Sequence, residues 1–152
     1  MRIALYQPDI AGNVGTIIRL AACFAVQLDI VMPCGFPASD KQLRRAAMDY
    51  SDAAEIVRHA NADTFFDEQA GGARRIVLLT SRGDVPLHRA AFTSTDTLLL
   101  GSESAGVPEN IHARAGMRVR IPMAAGFRSL NIAVAAGIAL SEALRQTGLF
   151  PE

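Results

Sequence analysis

Three stretches of this 152-residue chain set polar groups into apolar surroundings: "DIAGNVGTIIRLAA" near the start, "LLLGSESAGVPENI" in the middle and "IPMAAGFRSLNIAVAAGIAL" near the end. Each holds residues that can do chemistry. Arg19 lies six residues after Asn13 on an otherwise apolar helical pattern. It needs a partner if it is buried, because an unpaired buried charge is costly; the alternative is a plain surface arginine. Gly101 directly follows an apolar run, where a glycine lets a ligand come close to the backbone. Glu103 sits just after it, and Gly106 permits a turn before Pro108. Read alone, this is also a plain strand, turn and helix. Arg128, Ser129 and Asn131 stand at the mouth of a run of small apolar residues. Ser129 is a good N-cap, and a helix start leaves backbone N–H groups pointing outward. Backbone donors and acceptors from two such neighbouring loops can hold a flat heteroaromatic ring such as adenine.

These groups need elements to position them. Short apolar runs at 2–7, 27–33, 54–59, 74–81, 96–102 and 117–123 read as strands, the last with alternating faces. Between them, 12–25 has helical spacing, with Asn13 placed to cap it. A polar-faced helix is expected over 39–50, capped by Ser39 or Asp40, and a glycine-closed helix over 62–71. Residues 108–115 open on proline, and a last helix runs from about 129 to 147 and stops at Gly148. Alternating strands and helices imply an α/β fold: a parallel sheet with helices on both faces. In such sheets ligands sit beyond the carboxyl ends of the strands. Each of the three polar stretches follows a strand.

Composition sets the outer bounds. Half of the residues are apolar and a fifth are charged, which is ordinary for a globular chain, and the length suggests one domain over 1–152. Fifteen basic residues balance fifteen acidic ones, so nucleic-acid binding would need a local patch. Cys23 and Cys34 have neither redox nor zinc spacing and read as small buried hydrophobes. The N-terminus starts a strand and lacks the apolar core of a signal peptide, and no apolar run reaches membrane-spanning length. The expected compartment is the cytoplasm. No dinucleotide fingerprint, phosphate loop or serine nucleophile elbow is present. His59, His88 and His112 lack ligand spacing and read as surface or loop residues, so no metal is expected.

Taken together and in order, "NVGTIIR", "LGSESAGVP" and "IPM" followed by "RSLN" resemble the SPOUT class of RNA methyltransferases. The likeness is to its small single-domain branch, whose best-known type methylates the 2′-oxygen of cytidine or uridine 34 in tRNA. "YQPDIAGNVGTIIRLAACF", "GFPASDKQLRRAAMDY" and "LRQTGL" extend it over nearly the whole chain. The resemblance implies a C-terminal deep trefoil knot, a bent S-adenosylmethionine held in that knot, and a homodimer. By position, Leu79, Gly101, Ile121 and Ser129 match the cofactor pocket, with Glu103, Met123, Leu130 and Asn131 as neighbours. Arg19 matches the arginine central to catalysis. The segment 128–131 would then close over the cofactor. Two departures stand out: Ala11-Gly12 where relatives often carry proline, and Ser141-Glu142 where they tend to have Tyr-Glu.

The implied reaction is in-line methyl transfer from a sulfonium to a ribose 2′-oxygen, for which alignment alone can supply several kcal/mol of the roughly 7–11 that ideal orientation reaches. Arg19 would not be a simple base, since a guanidinium stays protonated. It can grip a phosphate and the hydroxyl together and stabilise the forming oxyanion. The partner would be a tRNA anticodon loop, held by its backbone and one unstacked base. Lys41, Arg44 and Arg45 are candidate phosphate contacts, or else one solvated helix face. Two rivals stay open: a relative acting on another tRNA position or on rRNA, and a non-catalytic RNA-binding module.

Overall fold

The computed structural model describes residues 1–37 and 41–152. Seven strands form one sheet: β1 (Arg2–Tyr6), β2 (Gln27–Val31), β3 (Ile56–His59), β4 (Ile76–Leu79), β5 (Val85–Pro86), β6 (Thr97–Leu100) and β7 (Met117–Arg120). Their order is β3-β2-β1-β6-β4-β7-β5. Every strand pairing is parallel. Five helices connect them: α1 (Ala11–Cys23), α2 (Lys41–Ala47), α3 (Ala62–Gly71), α4 (Glu109–Ala113) and α5 (Ile132–Thr147).

Strand residues alternate between two cores, as a pleated sheet requires. Ile3, Leu5, Leu28, Ile30, Leu98 and Leu100 face a core shared with α1, α2 and α5. Ala4, Tyr6, Val31, Leu78 and Leu99 face the other, beneath α3 and α4. Helices therefore cover both faces, as the alternation of elements predicts. The strand expected to reach 123 ends at Arg120, and Pro122, which lacks a donor, lies in the loop beyond it. β5 has no sequence signal. It is two residues long, contains Pro86, and survives because it sits at the sheet edge against Val119 and Arg120. The caps expected for α2, Ser39 and Asp40, lie outside the described residues.

Three expectations about single side chains give way. Asn13 does not cap α1, because the helix starts two residues earlier, after Ile10. Ser129 does not cap α5. That role falls to Asn131, whose side-chain oxygen accepts from the N–H groups of Ala133 and Val134 at 2.9 and 3.3 Å. Cys23 is exposed and Cys34 only half-buried, because Cys23 falls on the outward side of the last turn of α1.

The glycine of "NVGT" has a packing reason. A Cβ on Gly15 would lie 2.5 Å from the carbonyl oxygen of Leu43 and 2.8 Å from the amide of Ala47, so α1 and α2 meet backbone to backbone. Gly12, one turn back, faces nothing within 4 Å. Gly15→Val should therefore lower stability by about 1–3 kcal/mol through overpacking, read as a shifted urea midpoint. Gly12→Ala should be neutral or mildly stabilising. Equal midpoints for the two variants would mean that this contact does not dock α2.

Candidate functional site

Beyond the carboxyl ends of β4, β6 and β7 opens a cleft of about 590 Å³. This is the place that parallel sheets offer to ligands, and its size lies within the usual range for small-molecule sites. Three loops build it: 80–84 after β4, 101–106 after β6, and 121–131 between β7 and α5. Leu79, Gly101, Glu103, Ile121, Met123, Ser129, Leu130 and Asn131 all stand on its wall. The sequence brings these eight together from three distant stretches. Leu78, Leu100, Val107 and Val119 supply further apolar wall, and Asn13, Thr80, Ser81, Arg82 and Ser102 further polar groups.

Side-chain hydrogen bonds tie the walls to one another. Asn13, in the first turn of α1, donates from Nδ2 to Glu103 Oε1 at 2.9 Å. Its own oxygen accepts from Asn131 Nδ2, also at 2.9 Å. The other Glu103 oxygen accepts from the Asp9 amide at 2.8 Å. Asp9 in turn accepts from the Ser104 amide at 3.0 Å and from its hydroxyl at 2.5 Å. Those two bonds hold the Asp9 carboxyl below its ordinary value. The Asp9–Ser104 clasp is therefore present above the usual carboxylate range and is lost as pH falls through the lowered value.

Gly101 plays a second part besides the one its place after a strand suggests. An added Cβ would meet the backbone of Gly106 at 2.4–2.8 Å. The close approach is by the chain's own loop, where Ser102 and Gly106 exchange backbone hydrogen bonds of 3.0 and 2.8 Å. Gly106 itself has a φ of 67°, which glycine adopts without strain. Both glycines are thus needed for the turn to exist.

Arg19 lies outside the cleft. It is exposed, with its guanidinium 5.1 Å from the centre of the Tyr50 ring and one nitrogen 3.4 Å from the Met48 sulfur. Lys41, Arg44 and Arg45 are exposed on α2. Among the described residues, none of these four cations has an acidic group within ion-pair distance.

His59 is buried, unlike the surface residue its sequence context suggests. Its Nε2 lies 2.8 Å from Asp29 Oδ1 and its Nδ1 3.6 Å from Glu68 Oε2. These three residues are near enough to share a cation. Arg2 already supplies positive charge there, 3.7 Å from Asp29 and 3.1 Å from Glu68. The cluster is an ion-pair network bracing β2 and β3 to α3, away from the cleft. Its members lie far apart in sequence, so no local spacing could announce it.

Among the described residues no helix is long and apolar enough to cross a membrane. The chain is 52% identical over 150 residues to the tRNA (cytidine(34)-2′-O)-methyltransferase of Ancylobacter novellus, covering 99% of this chain and 95% of that protein. A solved structure concerned with 2-OH methylation of C/U34 on tRNA superposes with a TM-score of 0.91 at 39% identity, over 95% of this chain and 94% of that one. The SpoU methyltransferase AviRb from Streptomyces viridochromogenes, in complex with AdoMet, superposes with a TM-score of 0.88 at 27% identity, over 96% of this chain and 57% of that one. The SpoU rRNA Methylase family matches residues 1–141. A parallel sheet with its cleft at the carboxyl ends of three strands, and a family match over nearly the whole length, lead to one conclusion: the chain belongs to the SpoU methylase family.

Proposed function

We propose that this protein transfers a methyl group from S-adenosylmethionine to the ribose 2′-oxygen of nucleotide 34, the wobble cytidine or uridine of tRNA. The observation that carries this reading is a cleft of about 590 Å³ on which the four residues matched to the cofactor pocket and their four expected neighbours converge. The name of the Ancylobacter relative and the subject of the superposed tRNA structure support the choice of substrate.

The residues present fit the cofactor. Leu79, Leu100, Val107, Ile121 and Leu130 offer apolar wall for a flat purine, and Thr80, Ser81 and Ser129 offer hydroxyls for a ribose and its substituents. S-adenosylmethionine supplies the methyl group on a sulfonium, already charged and with a good leaving group. The chain's part is to align the 2′-oxygen with it and to keep water out. Glu103 acts through the walls it ties to Asp9 and Asn13. Arg19, always protonated, would grip a phosphate and the 2′-hydroxyl and stabilise the oxygen as its proton leaves.

Arg19 lines no part of its own cleft, and this supports a homodimer in which it serves the partner's. The same assembly accounts for the bare side of α5 and the loop before it. Val134 and Ile138 on α5 are 50 and 40% exposed, Leu130 just before the helix is 39% exposed, and Gly137 faces open space. The reading includes one domain over 1–152, a cytoplasmic location, no metal, and a trefoil knot formed by the chain between β4 and α5. The strand order, with β6 inserted between β1 and β4 and β7 beyond β4, is what supports the knot. Lys41, Arg44 and Arg45 would contact anticodon-loop phosphates.

Mass spectrometry of tRNA from cells lacking this protein tests the function. The 2′-O-methyl group at position 34 should vanish and return on complementation. Its persistence, with loss at another tRNA or rRNA position, would establish the rival substrate.

Two further outcomes follow. Mixed dimers of Arg19→Ala with Ile121→Trp, which fills the cleft from a loop position, should regain one working cleft although each parent is inactive. A purified mixed dimer that stays dead, with both parents folded and dimeric, would place Arg19 in its own chain's reaction. Replacing Lys41, Arg44 and Arg45 by Ala should weaken tRNA binding and reduce the salt dependence by about 0.7–0.9 per lost contact. Unchanged affinity and slope, from filter binding at several salt concentrations, would put the phosphate contacts elsewhere.

A further inference from the structure

Of the described residues on the cleft wall, only Glu103 and Arg82 carry charge. Both Glu103 oxygens are already taken by the chain itself, one by the Asp9 amide and one by Asn13. Arg82 is differently placed. Its one acidic partner among the described residues is Glu109, 3.3 Å away, and the two side chains are 61 and 77% exposed. An ion pair so open to water is worth little and is readily exchanged for a better one.

The turn that presents Arg82 is braced on all sides. The Thr80 amide donates to the Val119 carbonyl at 2.9 Å, and the Arg82 amide donates to the Thr80 hydroxyl at 3.2 Å. Gly83 lies so close to β7 that a Cβ would stand 2.5 Å from the Arg120 amide. Arg120 reaches back and donates to the carbonyls of Gly83 and Asp84 at 2.7 and 2.9 Å, and Arg118 pairs with Asp84 at 3.1 Å. The backbone that carries Arg82 on the cleft wall is thus held in place, which removes the loop's share of the ordering cost of binding.

We infer that Arg82 is the carboxylate-binding residue of the cleft, holding the α-carboxylate at the amino-acid end of the cofactor while the apolar walls take its adenosine end. This rests on the cofactor reading above. A planar guanidinium matches a carboxylate with two parallel hydrogen bonds, and among the described residues no other cation lines the cleft.

Calorimetry with two ligands tests it. S-adenosylhomocysteine keeps the amino-acid end, whereas 5′-methylthioadenosine keeps the adenosine and the sulfur but has no carboxylate. Arg82→Met retains most of the apolar stem and should weaken S-adenosylhomocysteine about tenfold, leaving 5′-methylthioadenosine unchanged. Arg82→Lys should recover part of the loss. Equal weakening of both ligands would show a damaged turn and overturn the proposal. Unchanged binding of both would overturn it too, and a simultaneous drop in tRNA affinity would make Arg82 an RNA contact. If the unaltered protein binds neither ligand, the cofactor reading itself fails, and that result is distinct from the others.

Discussion

The side-chain amide of Asn13 joins parts of the chain that lie 90 and 118 residues away. It donates to Glu103 in the loop after β6 and accepts from Asn131 at the start of α5. Asn131 uses its amide nitrogen for this bond and its oxygen to cap α5, so one residue both starts the helix and ties it to α1. Glu103 passes the connection on to the Asp9 amide. Remove Asn13 and two walls of the cleft lose their common anchor. The group left unpaired would include one end of a carboxylate, and an unmade charge-assisted hydrogen bond costs more than a neutral one.

This constraint explains why α1 sits where it does. Its apolar side, Val14, Ile17 and Ile18, is fixed by the sheet, and Gly15 lets α2 approach closely on a second side. Asn13 then fixes the rotation of the first turn toward the cleft. Arg19 lies on the remaining exposed side. A helix constrained on three sides has little freedom to turn its arginine elsewhere, and Tyr50 and Met48 then hold the Arg19 side chain on that face.

Much of this was legible in the sequence. The apolar runs gave the six main strands, and the closing glycine bounded α3 at 62–71; the structure adds its cap, Asn61, which accepts from the Thr64 amide. The eight cleft residues could be named because the family resemblance carries them over by position; the strands before their motifs only placed those motifs at the ligand end of the sheet. What failed were judgements about single side chains with two possible uses. Asn13 and Ser129 are both good caps, but a cap is defined by where the helix begins, and the caps fall at Ile10, three residues before Asn13, and at Asn131, two after Ser129. Gly101 lines the cleft, as its place after a strand suggests, and its missing Cβ also makes room for Gly106 five residues on, a use that the sequence does not announce. His59 looked solitary because Asp29 and Glu68 reach it only through strand pairing and the packing of α3. The edge strand β5 was invisible, since two residues with a proline carry no periodicity.

The same pattern shows how the cleft gets its shape and how it could get its selectivity. Gly83 and Gly101 are each pressed against backbone, of β7 and of Gly106, so two of the three walls are formed by close main-chain contact and cannot shift without breaking the turn. Glu103 and Asn131 are engaged by other protein groups, and Asp9 is engaged by Ser104. Nearly all the polar chemistry around the cleft is therefore spent on holding it open in one form. A site built this way gains affinity by preorganisation, because a ligand entering it orders little that is not already ordered. It also leaves few side chains to choose among ligands by charge. In the exposed loop 121–131, where Phe127 is 74% exposed, only the last residue, Asn131, is tied by its side chain to another wall among the described residues, which leaves the stretch before it the part of the cleft freest to adjust as ligands enter and leave.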